Sequence, residues 1–241
     1  MNDTHPYIKN DFLADLLRPR RIAFIVNPKA GTNLQRHIRE SVDKHLNHKR
    51  FEYGFKFTER AGHARELALE AISEGYNIVT AVGGDGSINE VASALVDTDA
   101  TLGIIPAGSG NGLAMHLGYG REVDEAVQKL NLATERTIDI GLLNGRPFVN
   151  LAGIGFDGLV SNLMKGSNWR GFIPYFFKSI EAGLTYTPKM CLIELDDRVL
   201  TEKCFVITIA NGPMYGYNVQ IAPGAQMDDG LFEVVILKDA P

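Results

Sequence analysis

A chain of 241 residues, 45% hydrophobic and 22% charged, with a net charge of −5, has ordinary globular composition. Folding at this length buries roughly 70% of the extended chain's surface, so no disulfide staple is needed, and Cys191 and Cys204 read as buried free thiols of a reducing compartment. The negative balance argues against a nucleic-acid footprint, and no transmembrane run or apolar leader is visible, which points to a cytoplasmic protein.

Residues 1–20 form a polar flank, and the basic cluster Arg18, Arg20 and Arg21 at its end reads as a solvated approach to the first strand. Arg21–Val26 is a continuous apolar run, the pattern of a strand covered on both faces. It ends in the turn-rich Asn27-Pro28-Lys29-Ala30-Gly31, and a helix follows with Leu34, Ile38, Val42 and Leu46 on one stripe. Alternating Phe51, Tyr53, Phe55 and Phe57 predict a second strand ending at Thr58. Gly62–Ser73 predicts another helix, and Ile78–Val82 a third strand. That strand stops at Gly83-Gly84-Asp85-Gly86 and restarts as a helix, with Ser87 near its N-cap and Ile88, Val91, Ala92 and Leu95 on one face. Leu102–Ile105 is a fourth strand, halted by Pro106-Ala107-Gly108-Ser109-Gly110-Asn111-Gly112, and an amphipathic helix carries Val123, Ala126, Val127 and Leu130. Four β-loop-α units predict an α/β domain over 21–135 with a parallel sheet, whose strand-end loops share one rim where ligands bind.

The texture changes near residue 136. Ile138, Ile140 and Leu142 alternate, Asn144-Gly145 signals a hairpin, and Phe148–Leu151 returns. Further strands are expected at Cys191–Leu195, Cys204–Ala210, Asn218–Ile221 and Leu231–Leu237, interrupted by a helical insertion near 171–186. These predict a second, mainly antiparallel β-sandwich domain over 136–241, ending so near its last strand that it reads as C-terminally incomplete. The apolar stripe of the insertion (Phe172, Ile173, Phe176, Ile180) suits packing against the sheet, or the wall of an acyl-chain site.

Glycines at a strand-to-helix corner allow positive φ and close approach of a ligand to the main chain, and the helix N-terminus beyond suits phosphate. Asp85 would repel bare phosphate, so its presence suggests a metal ion or a proton to be removed. There is no Gly-x-x-x-x-Gly-Lys-Ser/Thr and no Gly-x-Gly-x-x-Gly opening the first helix, which excludes a P-loop protein and argues against a dinucleotide oxidoreductase. His63 and His116 read as structural.

Asn27-Pro28-x-x-Gly31, Gly83-Gly84-Asp85-Gly86-Ser87-x-Asn89-Glu90 and Pro106-Ala107-Gly108-Ser109-Gly110-Asn111 resemble the nucleotide motifs of the diacylglycerol kinase/sphingosine kinase superfamily. Gly153-x-Gly155-Phe156-Asp157, Asn211-Gly212 and Ala222-Pro223-x-Ala225-x-x-Asp228-Asp229-Gly230 resemble its second-domain motifs. The resemblance implies an ATP- and Mg²⁺-dependent lipid kinase with ATP in the cleft between the domains. A lipid hydroxyl at a membrane surface would be the acceptor, with diacylglycerol, a sphingoid base or a related lipid as candidates. By the same resemblance Gly83, Gly84 and Gly86 cradle phosphate, and Asp85 is the base or a partner of the active-site Mg²⁺. Asn27, Thr58, Ser109 and Asn111 contact the nucleotide, within loops that include Pro28, Gly31, Ser87 and Gly108, while Glu90 braces the loop. Asp157 is a candidate for recognising the acceptor hydroxyl. Asp228-Asp229-Gly230 is by default a turn; the resemblance implies a structural Mg²⁺ there, on the Asp229 carboxylate and the main-chain carbonyls of Gln226 and Leu231. The late Asp-Gly-Glu of the family does not occur, which makes a truncated piece the expectation. Two rival readings are a kinase of NAD, whose family shares Gly-Gly-Asp-Gly, and a nucleotide- or lipid-binding module without turnover.

Overall fold

The computed structural model describes residues 20–30, 34–156, 158, 186–216 and 219–238. The expected helical insertion, Gly31 and Asp157 lie outside the described residues.

Strands β1 (Arg20–Val26), β2 (Phe51–Phe57), β3 (Ile78–Gly83) and β4 (Thr101–Pro106) form one parallel sheet in the order β2-β1-β3-β4. Between and after them come α1 (Leu34–His45), α2 (His63–Ser73), α3 (Asp85–Leu95), α4 (Gly112–His116) and α5 (Val123–Leu130). The unbroken apolar run of β1 has a simple cause. Ile22, Phe24 and Val26 enter the layer under α1 and α5 with Ile38, Val42 and Val127, while Ala23 and Ile25 enter the opposite layer with Ala68, Val79, Ile88 and Val91. Small side chains on the second face, Ala23, Ala81, Ala64, Ala68 and Ala71, let α2 lie close to the sheet. The first layer is filled by rings, with Phe24 stacked on Phe55 at 5.2 Å. The four strands occur where the sequence places them. Helix α3 differs: it starts at Asp85, because Gly84 takes the extended N-cap conformation (φ −93, ψ −174) and its carbonyl accepts the Ile88 N–H at 3.1 Å.

The second domain begins with a hairpin, β5 (Gly141–Leu143) and β6 (Arg146–Phe148), turned by Asn144 and Gly145 at φ 50 and 74, the left-handed pair that a type I′ turn requires. Strand β7 (Leu151–Gly155) follows, then a ribbon of β8 (Lys189–Leu195) and β9 (Arg198–Cys204), then β10 (Val206–Ala210). A small ribbon of β11 (Met214–Gly216) and β12 (Val219–Gln220) precedes β13 (Glu233–Leu237). Strands β13, β10 and β7 form an antiparallel sheet in that order.

Three expected strands are corrected. Cys204–Ala210 is two strands, since Phe205 turns the chain from the ribbon into the sheet: its N–H donates to the Leu237 carbonyl (2.8 Å) and its carbonyl accepts from Phe156 (2.9 Å). The return at Phe148–Leu151 is broken at Val149, whose main-chain groups bond to side-chain amides described below, and at Asn150, whose carbonyl accepts the Asn211 N–H (2.8 Å). The strand expected from Ile138 starts only at Gly141. A cavity of about 1200 Å³ lies along the first half of β4, lined by Leu95, Leu102, Ile104, His116 and Ile138, at the end of the sheet away from the glycine loops. Burial, and then the charge of Arg136, lower the His116 pKa below its ordinary value.

Candidate active site

All four strand-end loops meet on one rim, and hydrogen bonds continue the sheet past the strand ends. The Asn27 N–H donates to the Val82 carbonyl (2.9 Å), that of Thr58 to Val26 (2.9 Å) and that of Ala107 to Gly83 (2.8 Å). The order β2-β1-β3-β4 puts the reversal of direction between β1 and β3, where a doubly wound sheet opens its ligand crevice. The two loops beside it are tied by side chains. Asn27 Oδ1 accepts the Lys29 N–H (3.0 Å), and Asn27 Nδ2 donates to Ser87 Oγ (3.4 Å). The Ser87 hydroxyl occupies the space a Cβ on Gly83 would need, at 2.6 Å.

The third and fourth loops touch through their glycines. A Cβ on Gly108 would lie 2.4 Å from the Gly84 Cα and 2.8 Å from Asn111 Oδ1. Asn111, left-handed at φ 50 and buried, spends its side chain on its own loop: Oδ1 accepts the Gly108 N–H (2.9 Å) and Nδ2 donates to the Gly108 carbonyl (2.8 Å). Thus Asn111 shapes the loop from within. Ser109 and Gly86 are exposed on the cleft side, and no atom lies within 4 Å of a Cβ built on Gly86. Thr58 and Pro28 are half-buried at the flanks.

Two acidic residues of α3 cap the helices on either side of it. Asp85 is reached by solvent yet sits in a concavity, facing the backbone N–H groups of Asn111, Leu113 and Gly112 at the start of α4. Its pKa is raised by desolvation, which outweighs the pull of those N–H groups. Glu90 caps α2, whose own N-cap, Gly62 at φ 79, has no side chain to offer: the carboxylate accepts the N–H of Gly62 (2.9 Å) and of Ala64 (3.1 Å). Glu90 therefore braces the loop after β2. His63 holds the same loop, its Nδ1 accepting the Glu59 N–H at 3.1 Å.

Sequence reasoning did not single out Asn89. Its Nδ2 donates to the Pro147 carbonyl and its Oδ1 accepts the Val149 N–H, both at 3.1 Å, so α3 grips the end of β6. The adjacency of Asn89 to Glu90 in the motif was the signal available. Buried Asn211 continues the seam, Nδ2 donating to the carbonyls of Val149 and Asp139 (2.7 Å each). Asn150 Nδ2 reaches the Met214 carbonyl (2.9 Å), beside Gly112 at the start of α4.

In the second domain, the loop before β13 is a turn in which Asp229 Oδ1 accepts the Leu231 N–H (3.0 Å) and Gly230 is left-handed at φ 77. Asp139 anchors it, accepting the Gly230 N–H (2.8 Å) and donating its own N–H to the Met227 carbonyl (2.6 Å). Among the described residues no group of three or more His, Cys, Asp or Glu side chains is placed to hold a metal. A cation here would rest on one carboxylate, main-chain carbonyls and water. That oxygen-only, exposed donor set fits Mg²⁺, which retains several waters. No helix among the described residues is long and apolar enough to cross a membrane.

Comparison with known proteins agrees with this layout. The diacylglycerol kinase catalytic domain matches residues 21–143, and the YegS C-terminal NAD kinase beta sandwich-like domain matches residues 150–241. A diacylglycerol kinase of Bacillus subtilis (strain 168) is 32% identical over 232 residues, covering 92% of this chain and 75% of its own length. A YegS-like lipid kinase of Chromohalobacter salexigens is 32% identical over 189 residues, covering 76% of this chain and 61% of its own length. The crystal structure of a diacylglycerol kinase from Bacillus anthracis str. Sterne superimposes with a TM-score of 0.73 at 23% identity, covering 91% of this chain and 75% of that one. With both domain matches in chain order and the glycine loops meeting on one rim, the chain belongs to the diacylglycerol kinase catalytic domain family.

Proposed function

We propose that this chain transfers the γ-phosphoryl group of ATP to the hydroxyl of a lipid presented at a membrane surface. The observation that carries the reading is the junction of the two glycine loops. Gly84 and Gly108 abut, Gly86 is open, and the Asp85 carboxyl faces the N–H groups at the start of α4. Phosphoryl transfer needs little covalent chemistry from the protein, so positioning and charge neutralisation dominate. The open edge of Gly86 admits phosphate to the main chain of the α3 N-terminus, and Asn27, Thr58 and Ser109 line the approach. Asp85 orients or deprotonates the acceptor hydroxyl, or holds the cation that travels with ATP; its raised pKa makes it a better proton acceptor than an exposed aspartate. Mg²⁺, when bound with ATP, would spread the charge of the transferring phosphoryl group. A second, structural Mg²⁺ would be held by Asp229 with the carbonyls of Gln226 and Leu231.

Incubation with radiolabelled ATP, Mg²⁺ and mixed micelles of diacylglycerol, sphingoid base or monoacylglycerol tests the reading. A labelled phospholipid is the expected product. ATP binding with no lipid product from any acceptor would sink it. The family description of the second domain mentions NAD kinase, which keeps one rival in view: formation of NADP from NAD in the same assay would replace the lipid reading.

A further inference from the structure

Helix α3 carries the phosphate-side loop at its start, and one turn later it holds the second domain. We infer that Asn89 is a positioning residue that fixes the entry of the second domain in register with the phosphate loop. The side-chain amide of Asn89 bonds to the Pro147 carbonyl and the Val149 N–H (3.1 Å each). These two groups flank Phe148 and point to the same side, as a neighbouring strand would find them. The amide therefore takes the place of a strand partner where β6 ends. Phe148 between them is buried, lies across Gly141 and meets Phe232 at 5.8 Å, so the gripped peptide cannot slide without unpacking its ring.

The grip is continuous with the chemistry at both ends. Asn89 lies next to Glu90 and four residues beyond Asp85, on one helix, so its distance from the glycine loop is set by helical geometry. On the far side Val149 and Asn150 lead directly into β7. Asn211 holds the next two peptides, by its amide to the Val149 carbonyl (2.7 Å) and its N–H to the Asn150 carbonyl (2.8 Å). Both side-chain hydrogen bonds of Asn89 go to the 147–150 stem, so it acts through that stem. An alanine there removes both hydrogen bonds while keeping a residue that favours helix.

The test compares the wild-type chain with Asn89→Ala and Asn89→Asp. The second variant keeps the size and the acceptor for Val149 but loses the donor to Pro147. Hydrogen exchange over 141–155 is expected to quicken about tenfold in Asn89→Ala and less in Asn89→Asp, in line with one or two lost hydrogen bonds. Exchange in β1 and the dissociation constant of a fluorescent ATP analogue are expected to stay within about twofold of wild type, while kcat for lipid phosphorylation falls about tenfold, because only the alignment of acceptor with donor is disturbed. Unchanged exchange over 141–155 in both variants overturns the inference. So does a loss of ATP affinity that tracks the loss of kcat together with faster exchange in β1, which would make Asn89 a general fold contact. Only the kinetic arm rests on the lipid-kinase reading. If the wild-type chain phosphorylates no lipid, that reading falls, and the exchange and ATP-affinity arms still decide the role of Asn89.

Discussion

Gly84 and Gly108 lie against each other, with no room for a side chain on Gly108 and little on Gly84: a Cβ on Gly108 would sit 2.4 Å from the Gly84 Cα, and one on Gly84 would sit 3.1 Å from the Gly108 Cα. The loops after β3 and β4 thus meet by backbone contact, on one side of the crevice. Gly108→Ala is expected to force them apart at a cost of about 1–3 kcal/mol, as overpacking does elsewhere. Gly86→Ala meets no atom within 4 Å and should leave the melting temperature unchanged. If Gly86→Ala nevertheless weakens ATP binding, measured by titration calorimetry, the phosphates lie against that residue. Equal binding in wild type and Gly86→Ala would move them elsewhere on the rim.

Asp85 gives a pH prediction whose sign follows from burial. Its pKa in the folded chain is above the ordinary aspartate value, so the carboxylate form costs the folded state something, which is regained as pH falls through the raised value. Activity that needs the carboxylate runs the other way. The acid limb of kcat/KM is expected at a higher pH than an unperturbed aspartate would produce. Asp85→Asn should reduce kcat by roughly a hundredfold or more if the group transfers a proton. It should also loosen the start of α4, because the anion facing the Asn111, Gly112 and Leu113 N–H groups is gone.

Glu90→Ala removes both acceptors at the start of α2. Loss of a helix cap typically costs about 1–2 kcal/mol, and a lower melting temperature is expected, with faster exchange confined to 59–66. Wild-type exchange in that segment would show that Gly62 and Ala64 find other acceptors.

On the outer layer of the sheet, α1 and α5 meet around Asp124, whose oxygens face His37 and His45 at 3.3 Å each. The Ser41 hydroxyl, then His45 and His37, hold the Asp124 carboxyl below its ordinary range, although Ser41 Oγ and His45 Nε2 are close to it without aligned hydrogen bonds. A depressed carboxyl pKa stabilises the fold above the unfolded value, and that contribution is lost as pH falls through the folded one. The contact is largely solvated, so Asp124→Asn is expected to cost no more than about 0.5 kcal/mol at neutral pH, with the difference from wild type vanishing in acid. Thermal denaturation across pH checks it.

Mg²⁺ at the second-domain loop predicts a ligand-dependent melting temperature. Ten dissociation constants of free Mg²⁺ should add about 1.4 kcal/mol to the wild-type chain and nothing to Asp229→Ala. Identical shifts in the two proteins would remove the metal from that loop.

Much of this was legible in the chain itself, for identifiable reasons. The apolar run of β1 is buried on both faces, and Asn144-Gly145 admits few conformations besides the turn it makes. What escaped prediction depends on partners far along the chain. Glu90 caps a helix 28 residues before it, and Asn89 holds a carbonyl 58 residues after it, so no local periodicity encodes either contact. The start of α3 was misplaced because Ser87 is a good N-cap by type, whereas Gly84 reaches the N-cap conformation without one. Cys204–Ala210 looks like one strand because Phe205 is as apolar as its neighbours, and only its hydrogen bonds to Leu237 and Phe156 divide it.

Phe205 has a wider consequence for how the molecule comes apart. It is the single residue between β9 and β10, and its ring is clamped by Phe156 (4.5 Å) and Tyr186 (5.2 Å). A two-stranded ribbon is marginal alone, and β8–β9 leaves Met190, Leu192 and Val199 more than 60% exposed. The ribbon can therefore open as its own low-energy unit while β7, β10 and β13 stay shut, with the aromatic clamp as the boundary between early and late unfolding.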